Sequence, residues 1–212
     1  AILKDYSLTS GVDFGFAYWS AGASGFNRWH GDHKTGQGYS TPCNYYNCLK
    51  VPIYKGGAAQ IAKMIRTVNP GGGTHLDSAM RIASRYYKNT TYSPIDKNLD
   101  CQNSYVILIG DGDWFSHTHN RGLKIVKDIY KNNKIKTFAI AFGTGISANG
   151  YRYFQDVAKA GGTGKSIVAT TGAALTAQLK AKIGEIIAEK LSFTAPAITA
   201  TIEKGGSLYQ AQ

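Results

Sequence analysis

A chain of 212 residues, 43 % of them hydrophobic, has the length of one large domain or two small ones and can bury a sizeable core. No run reaches the roughly eighteen apolar residues of a membrane span, which excludes a transmembrane helix, and the apolar content excludes a disordered chain. Lys and Arg number 24 against 13 Asp and Glu, for a formal charge of +11, but the lysines are scattered without an arginine-rich stripe, so no nucleic acid partner is expected.

Residues 12–19, VDFGFAYW, read as a strand bounded by Gly11 and by Ser20, Ala21 and Gly22. An insertion over 20–50 follows, rich in Gly, Asn, His and Tyr, and a connection that long is usually functional. A short strand, 51–53, leads to a helix carrying Ile61, Met64, Ile65 and Val68, ended by the Asn and Gly of 69–73. Residues 75–87 form a second helix, with Leu76, Ala79, Met80, Ala83 and Tyr87 on one face. YVILI at 105–109 has the uninterrupted apolar pattern of a strand buried on both faces of a parallel sheet. A helix with Leu123, Val126, Ile129 and Tyr130, a strand at 135–142, a helix with Tyr153, Phe154 and Val157, and a strand at 167–169 continue the alternation. The last helix, 172–190, spaces Leu175, Leu179, Ile183 and Ile187 one turn apart. This order predicts an α/β fold, a doubly wound and mostly parallel sheet flanked by helices. From residue 191 the pattern becomes β-prone, with Pro196 and a Gly-Gly turn, and marks the start of a following β-rich segment.

Cys43 and Cys48 lie close together in TPCNYYNCLK, a spacing that allows a small disulfide-closed loop in an oxidising compartment. The other reading is a pair of reduced thiols in a cytosolic protein, whereas zinc would want a second pair and only Cys101 remains. The disulfide is expected, with Cys101 apart from it. Ala1 opens the chain without a signal peptide, which implies that any export signal has been removed.

In a parallel α/β sheet, ligands bind beyond the carboxyl ends of the strands. Two segments reach that edge. NPGGGTH offers the Thr74 hydroxyl at the start of a helix, and ILIGDGDWFSHTHN delivers Asp111 at the end of an apolar strand. Thr74 would otherwise be a helix cap, and Asp111 a turn residue. Together they resemble the metal-ion-dependent adhesion site of von Willebrand factor A domains: D-x-S-x-S after the first strand, Thr in a glycine-rich loop, and Asp after a later strand, usually as T-D-G. Gly110 stands where that family usually has Thr.

The segments SLTSGVDFGFAYWS, CLKVPIYKGGAAQIAKMI, PGGGTHLDSAMRIASRYY and CQNSYVILIGDGDW are similar to the von Willebrand A domain of the type IV pilus tip adhesin and assembly family (PilY or PilC), in family order up to about Lys190. The resemblance implies a non-enzymatic adhesion and pilus-assembly module, exported to the bacterial cell surface at the pilus tip. Its partners would be pilus minor subunits and a host or surface ligand, with Mg²⁺ or Ca²⁺ held by Thr74 and Asp111. Asp113, His117 and His119 beside that site, and Trp29, Tyr45 and Tyr46 in the insertion, are the candidate partner-binding residues. The insertion aromatics could equally pack the loop onto its own domain.

Asp5, Ser7 and Thr9 spell D-x-S-x-T, but AILK before them is too short and polar for a buried strand, and no crossover helix fits before residue 12. Residues 1–5 read as the end of a helix. The domain, 1–190, is therefore expected to lack its first central strand, leaving the strands at 12–19 and 105–109 unpaired with each other and the metal site incomplete. AGGTGKS, 160–166, imitates a phosphate loop but has Lys159 where Gly is required and the reverse order of helix and strand. His30 with His33, and His117 with His119, read as solvated loop residues. The alternatives are a structural pilus-tip scaffold with a vestigial metal site, or a metal-dependent hydrolase using Asp111, Asp113, His117 and His119.

Overall fold

The computed structural model describes residues 2–19, 49–68, 74–91, 93–99 and 102–192. A 3₁₀ turn, Ile2–Lys4, and a one-turn helix α1, Tyr6–Thr9, precede an antiparallel pair, β1 (Phe14–Ala17) and β2 (Leu49–Tyr54). Then come α2 (Gly57–Met64), α3 (Leu76–Lys88), β3 (Tyr105–Gly110), α4 (Ser116–Asn133), β4 (Lys136–Phe142), α5 (Ala148–Ala160), β5 (Ile167–Ala169) and α6 (Gly172–Ser192). The chain is a mixed α/β protein whose parallel sheet, in the order β3-β4-β5, is flanked by helices.

The strands and helices expected within the described residues form, and the β-rich segment expected from residue 191 lies almost wholly outside them. The single mostly parallel sheet does not form within those residues. Among the described residues the strands divide into an antiparallel ribbon and a parallel triplet, and β1 does not pair with β3. The central place falls to β4, where Ala139, Ile140 and Ala141 are fully buried. β3 was expected to be buried on both faces and is not. Tyr105, Val106 and Ile107 are half-buried and Ile109 is 41 % exposed, and among the described residues β3 is an edge strand, paired with β4 alone. The helical turn expected at 1–5 runs on to Thr9, broken at an extended Asp5 whose carbonyl accepts from the Leu8 and Thr9 amides and the Thr9 hydroxyl.

Glycines set several close approaches. In β1, a Cβ on Gly15 would lie 2.7 Å from Ile53 Cγ1, so β2 can close over it, with ladder irregularities on either side of Phe16. At the end of α5, a Cβ on Gly161 would lie 2.6 Å from Thr137 Cβ, and Gly162 and Gly164 hold φ of +76° and +79°. The glycines of AGGTGKS therefore serve a tight passage from α5 to β5, with helix first and strand second.

A two-stranded ribbon is marginal alone, so its order depends on what it packs against. Helix α2 lies against both ribbon strands, and helix α3 ties the ribbon to the rest of the domain. Helix α3 carries Asp77 in its first turn and Arg85 and Lys88 in its last, each sign suited to the helix dipole there. Ile82 packs against Ala17 and Trp19, while Leu76, Ala79 and Met80 enter the main core with Leu108, Val126, Ile129 and Phe154. The Ile53 amide donates to the Tyr86 hydroxyl at 2.8 Å, and the Tyr87 hydroxyl donates to the Tyr105 carbonyl at 2.9 Å. Burial holds the Tyr87 phenol well above its ordinary pKa, so it stays a donor.

Helix α4 crosses α3 at Gly122, where a Cβ would lie 2.4 Å from Leu76 Cγ. Leu76 is fully buried and has no room to withdraw. Gly122→Ala is therefore expected to lower stability by about 1–2 kcal/mol in urea unfolding, overpacking outweighing the roughly 1 kcal/mol gain in helix propensity. A raised midpoint would show that Leu76 yields instead.

Candidate functional site

The amino end of α3 and the loops after β3 and β4 converge at the carboxyl end of the parallel strands. Backbone and hydroxyl bonds fasten them together. The Phe115 amide donates to the Thr74 carbonyl at 3.1 Å, joining the loop before α3 to the loop after β3. Thr118, fully buried, accepts from the Leu76 amide at 3.2 Å and donates its hydroxyl to the Phe115 carbonyl at 2.8 Å. Asp113 then reaches the third loop: its carboxylate accepts from the Ser147 amide at 3.1 Å and from the Ser147 hydroxyl. Ser147 caps α5, accepting from the Gly150 amide at 3.1 Å. Gly150 must be glycine for this, since a Cβ there would lie 1.9 Å from Asp113 Oδ1.

Asp111 follows directly on β3 and is exposed. Gly110, unlike the Thr usual at this place in the family it resembles, has a packing cause: a Cβ would lie 2.9 Å from Phe154 Cζ. Beyond it Phe115 is 46 % exposed, and its ring stands edge-on to His75 at 5.1 Å and tilted against His117 at 5.7 Å.

The segment SHTHN, expected as an exposed loop, is instead the start of α4, and this separates its two histidines. His117 faces solvent, whereas His119 is only 7 % exposed. The Trp114 indole donates to His119 Nδ1 at 3.2 Å, and His119 Nε2 lies 3.2 Å from Asp156 Oδ2. With Nδ1 accepting, the proton of the neutral ring belongs on Nε2, toward Asp156. The ring also stacks on Tyr153, centroids 4.0 Å apart, beneath the Trp114 indole. Burial pulls its pKa below the ordinary histidine value, with Asp156 opposing the shift and Arg152 adding to it. His119 is thus an internal tie between α4 and α5, with no surface left to offer a partner.

Of the expected site residues, the structure brings the loops of Thr74, Asp111, Asp113 and His117 to one edge. It turns Asp113 toward Ser147 and His119 inward. Trp29, Tyr45, Tyr46, Cys43, Cys48 and Cys101 lie outside the described residues. As a cation site, Thr74 and Asp111 supply two of the about six oxygen ligands a hard divalent ion takes. Among the described residues no three His, Cys, Asp or Glu side chains gather to hold a metal. The Asp5 carboxylate pairs with Lys180 of α6 at 3.0 Å, and it follows a 3₁₀ turn where the family motif follows a strand.

Sequence reasoning missed the buried carboxylate of Asp77, 1 % exposed, which accepts from Arg121 Nε at 2.8 Å. An acidic residue in a helix's first turn reads as a dipole partner, and only the α3–α4 crossing shows that an arginine reaches it.

No family model and no curated protein matches the chain. Among solved structures it is similar to proximal thread matrix protein 1 from the mussel byssus, in two crystal forms, at 17 % and 16 % identity and TM-scores of 0.34 and 0.35. Each match covers 64 % of this chain and 29 % of that one. No helix among the described residues is long and apolar enough to cross a membrane.

The buried His119 gives a pH dependence. Its folded pKa lies below its unfolded value, so the unfolded state takes up the proton first and stability falls as pH drops below about 6.5. Unfolding by denaturant at pH 7.5 and pH 5 should show a loss at pH 5 that shrinks in His119→Gln. An equal loss in both proteins would assign the slope to other groups.

Proposed function

We propose that this chain is a non-enzymatic surface-binding module, a von Willebrand A-like domain of the type IV pilus tip adhesin and assembly family, exported to the bacterial cell surface. It engages pilus minor subunits or a surface ligand through the edge formed by the loops after β3 and β4 and the start of α3. The observation that carries the reading is the fastening of those loops: Phe115 to Thr74, Thr118 to Leu76, and Asp113 to Ser147. A backbone held this way loses little conformational freedom on binding. It presents Asp111, Phe115 and His117, an apolar ring flanked by polar groups. The ordered series of family-like segments supplies the pilus context, and the insertion over 20–50 would extend the surface.

A divalent ion at Thr74 and Asp111 belongs to this reading only if ligands from outside the described residues complete it. The second reading, a structural scaffold, draws on the burial of His119 and on the use of the Asp113 carboxylate to hold Ser147 at the start of α5.

Phe115→Ser, introduced into the protein as displayed on cells, separates the two. Removing an anchor of this kind costs about 2 kcal/mol of binding, roughly a thirty-fold loss. Attachment should fall while pilus number and the melting temperature of the chain stay unchanged. Unaltered attachment would discard the binding edge, and loss of pili with attachment per pilus intact would favour the scaffold.

A further inference from the structure

Toward the amino ends of the parallel strands, opposite the loop edge, β5 and α6 leave between them a groove of about 430 Å³. Phe138 of β4, residues 163–168, and Gln178 and Lys182, one turn apart on α6, line it. Its floor is apolar. The half-buried Phe138 ring stacks on Tyr105, centroids 6.0 Å apart, and Val168 is 47 % exposed. The two ammonium groups at its rim differ in their partners. Lys182 is neutralised by Glu185, whose carboxylate oxygens accept at 2.9 and 2.7 Å. Lys165 is exposed and, among the described residues, pairs with no carboxylate, nor does any acidic side chain line the groove. The loop that carries Lys165 is clamped by Gln155. That side chain donates from Nε2 to the Gly164 carbonyl at 2.7 Å, and its Oε1 accepts from the Ser166 amide at 3.1 Å and hydroxyl at 3.3 Å.

We propose that this groove binds a small organic carboxylate with an apolar body. The charge left without a counterpart is a single positive one, which matches one carboxylate better than a multiply charged phosphate. A phosphate-binding loop also needs backbone N–H groups free to converge on the anion. Here they are engaged within the domain: the Thr163 and Gly164 amides donate to the Ala158 carbonyl, the Lys165 amide to the Thr163 carbonyl and the Ser166 amide to Gln155. The Lys165 ammonium and the exposed Gln178 side-chain amide remain to orient a carboxylate. Phe138, Ile167 and Val168 take the hydrocarbon part out of water. The volume lies within the roughly 300–1,000 Å³ range of small-molecule sites. Because the groove and the loop edge lie at opposite ends of the sheet, its occupancy does not depend on the reading of that edge.

The whole chain is titrated by calorimetry with 3-phenylpropionate, its neutral amide and propionate. The phenylpropionate should bind saturably, at least about tenfold tighter than the amide, which lacks the charge, and than propionate, which lacks the apolar body. Lys165→Gln should weaken phenylpropionate about tenfold and leave the amide within about twofold, whereas Lys63→Gln, the same charge change on α2, should leave both within about twofold. Gln178→Trp, a bulky group placed in the groove from an exposed position, should abolish binding, and melting temperatures verify that each variant folds. Equal affinity for the acid and its amide, no saturable binding, an equal loss in Lys165→Gln and Lys63→Gln, or binding unchanged in Gln178→Trp would overturn the proposal.

Discussion

Two sheets that do not pair with each other must be held by something between them, and in this protein that element is α3. Its adjacent tyrosines point to different sheets, the Tyr86 hydroxyl accepting from β2 and the Tyr87 hydroxyl donating to β3. The same helix packs Ile82 under β1 and sends Leu76 and Met80 into the core beneath the parallel sheet. Its first turn receives Thr118 and Arg121 from α4. Ribbon, parallel sheet and loop edge all meet on thirteen residues.

That arrangement also fastens the loop edge. Hydroxyl and amide bonds cross from α3 to the loop after β3, and from there Asp113 and Ser147 carry the connection to α5. Lower down, Trp114, His119, Tyr153 and Asp156 repeat the link between α4 and α5 in a drier setting. Groups that would otherwise serve chemistry or recognition hold the edge in shape, and Phe115 and His117 are left at its rim.

Much of the fold was legible because its elements differ in period. The helical spacing of Leu76, Ala79, Met80, Ala83 and Tyr87, and the apolar run of β4, mark helix and strand without help from the tertiary structure. The exposure of β3 was not legible, since YVILI and KTFAIAF look alike as sequence and only pairing decides which is central. Nor was the fate of SHTHN: its histidines lie two apart, which on a strand or loop puts them together and on a helix sends them to different faces. Glycines were ambiguous for the same reason. Gly110, Gly122 and Gly161 stand where another element presses against the backbone, and Gly162 and Gly164 where φ is positive, so sequence alone makes 160–166 resemble a phosphate loop.

The role of α3 can be measured directly by native-state hydrogen exchange on Tyr86→Phe and Tyr87→Phe. Tyr86→Phe leaves the half-buried Ile53 amide without its acceptor, a loss of about 1 kcal/mol or roughly fivefold in protection. If α3 couples two otherwise separate sheets, that loss is confined to β1 and β2, and Tyr87→Phe lowers protection in β3 to β5 alone. Equal losses across both sheets in either variant would contradict it, showing one cooperative unit in which α3 has no special place.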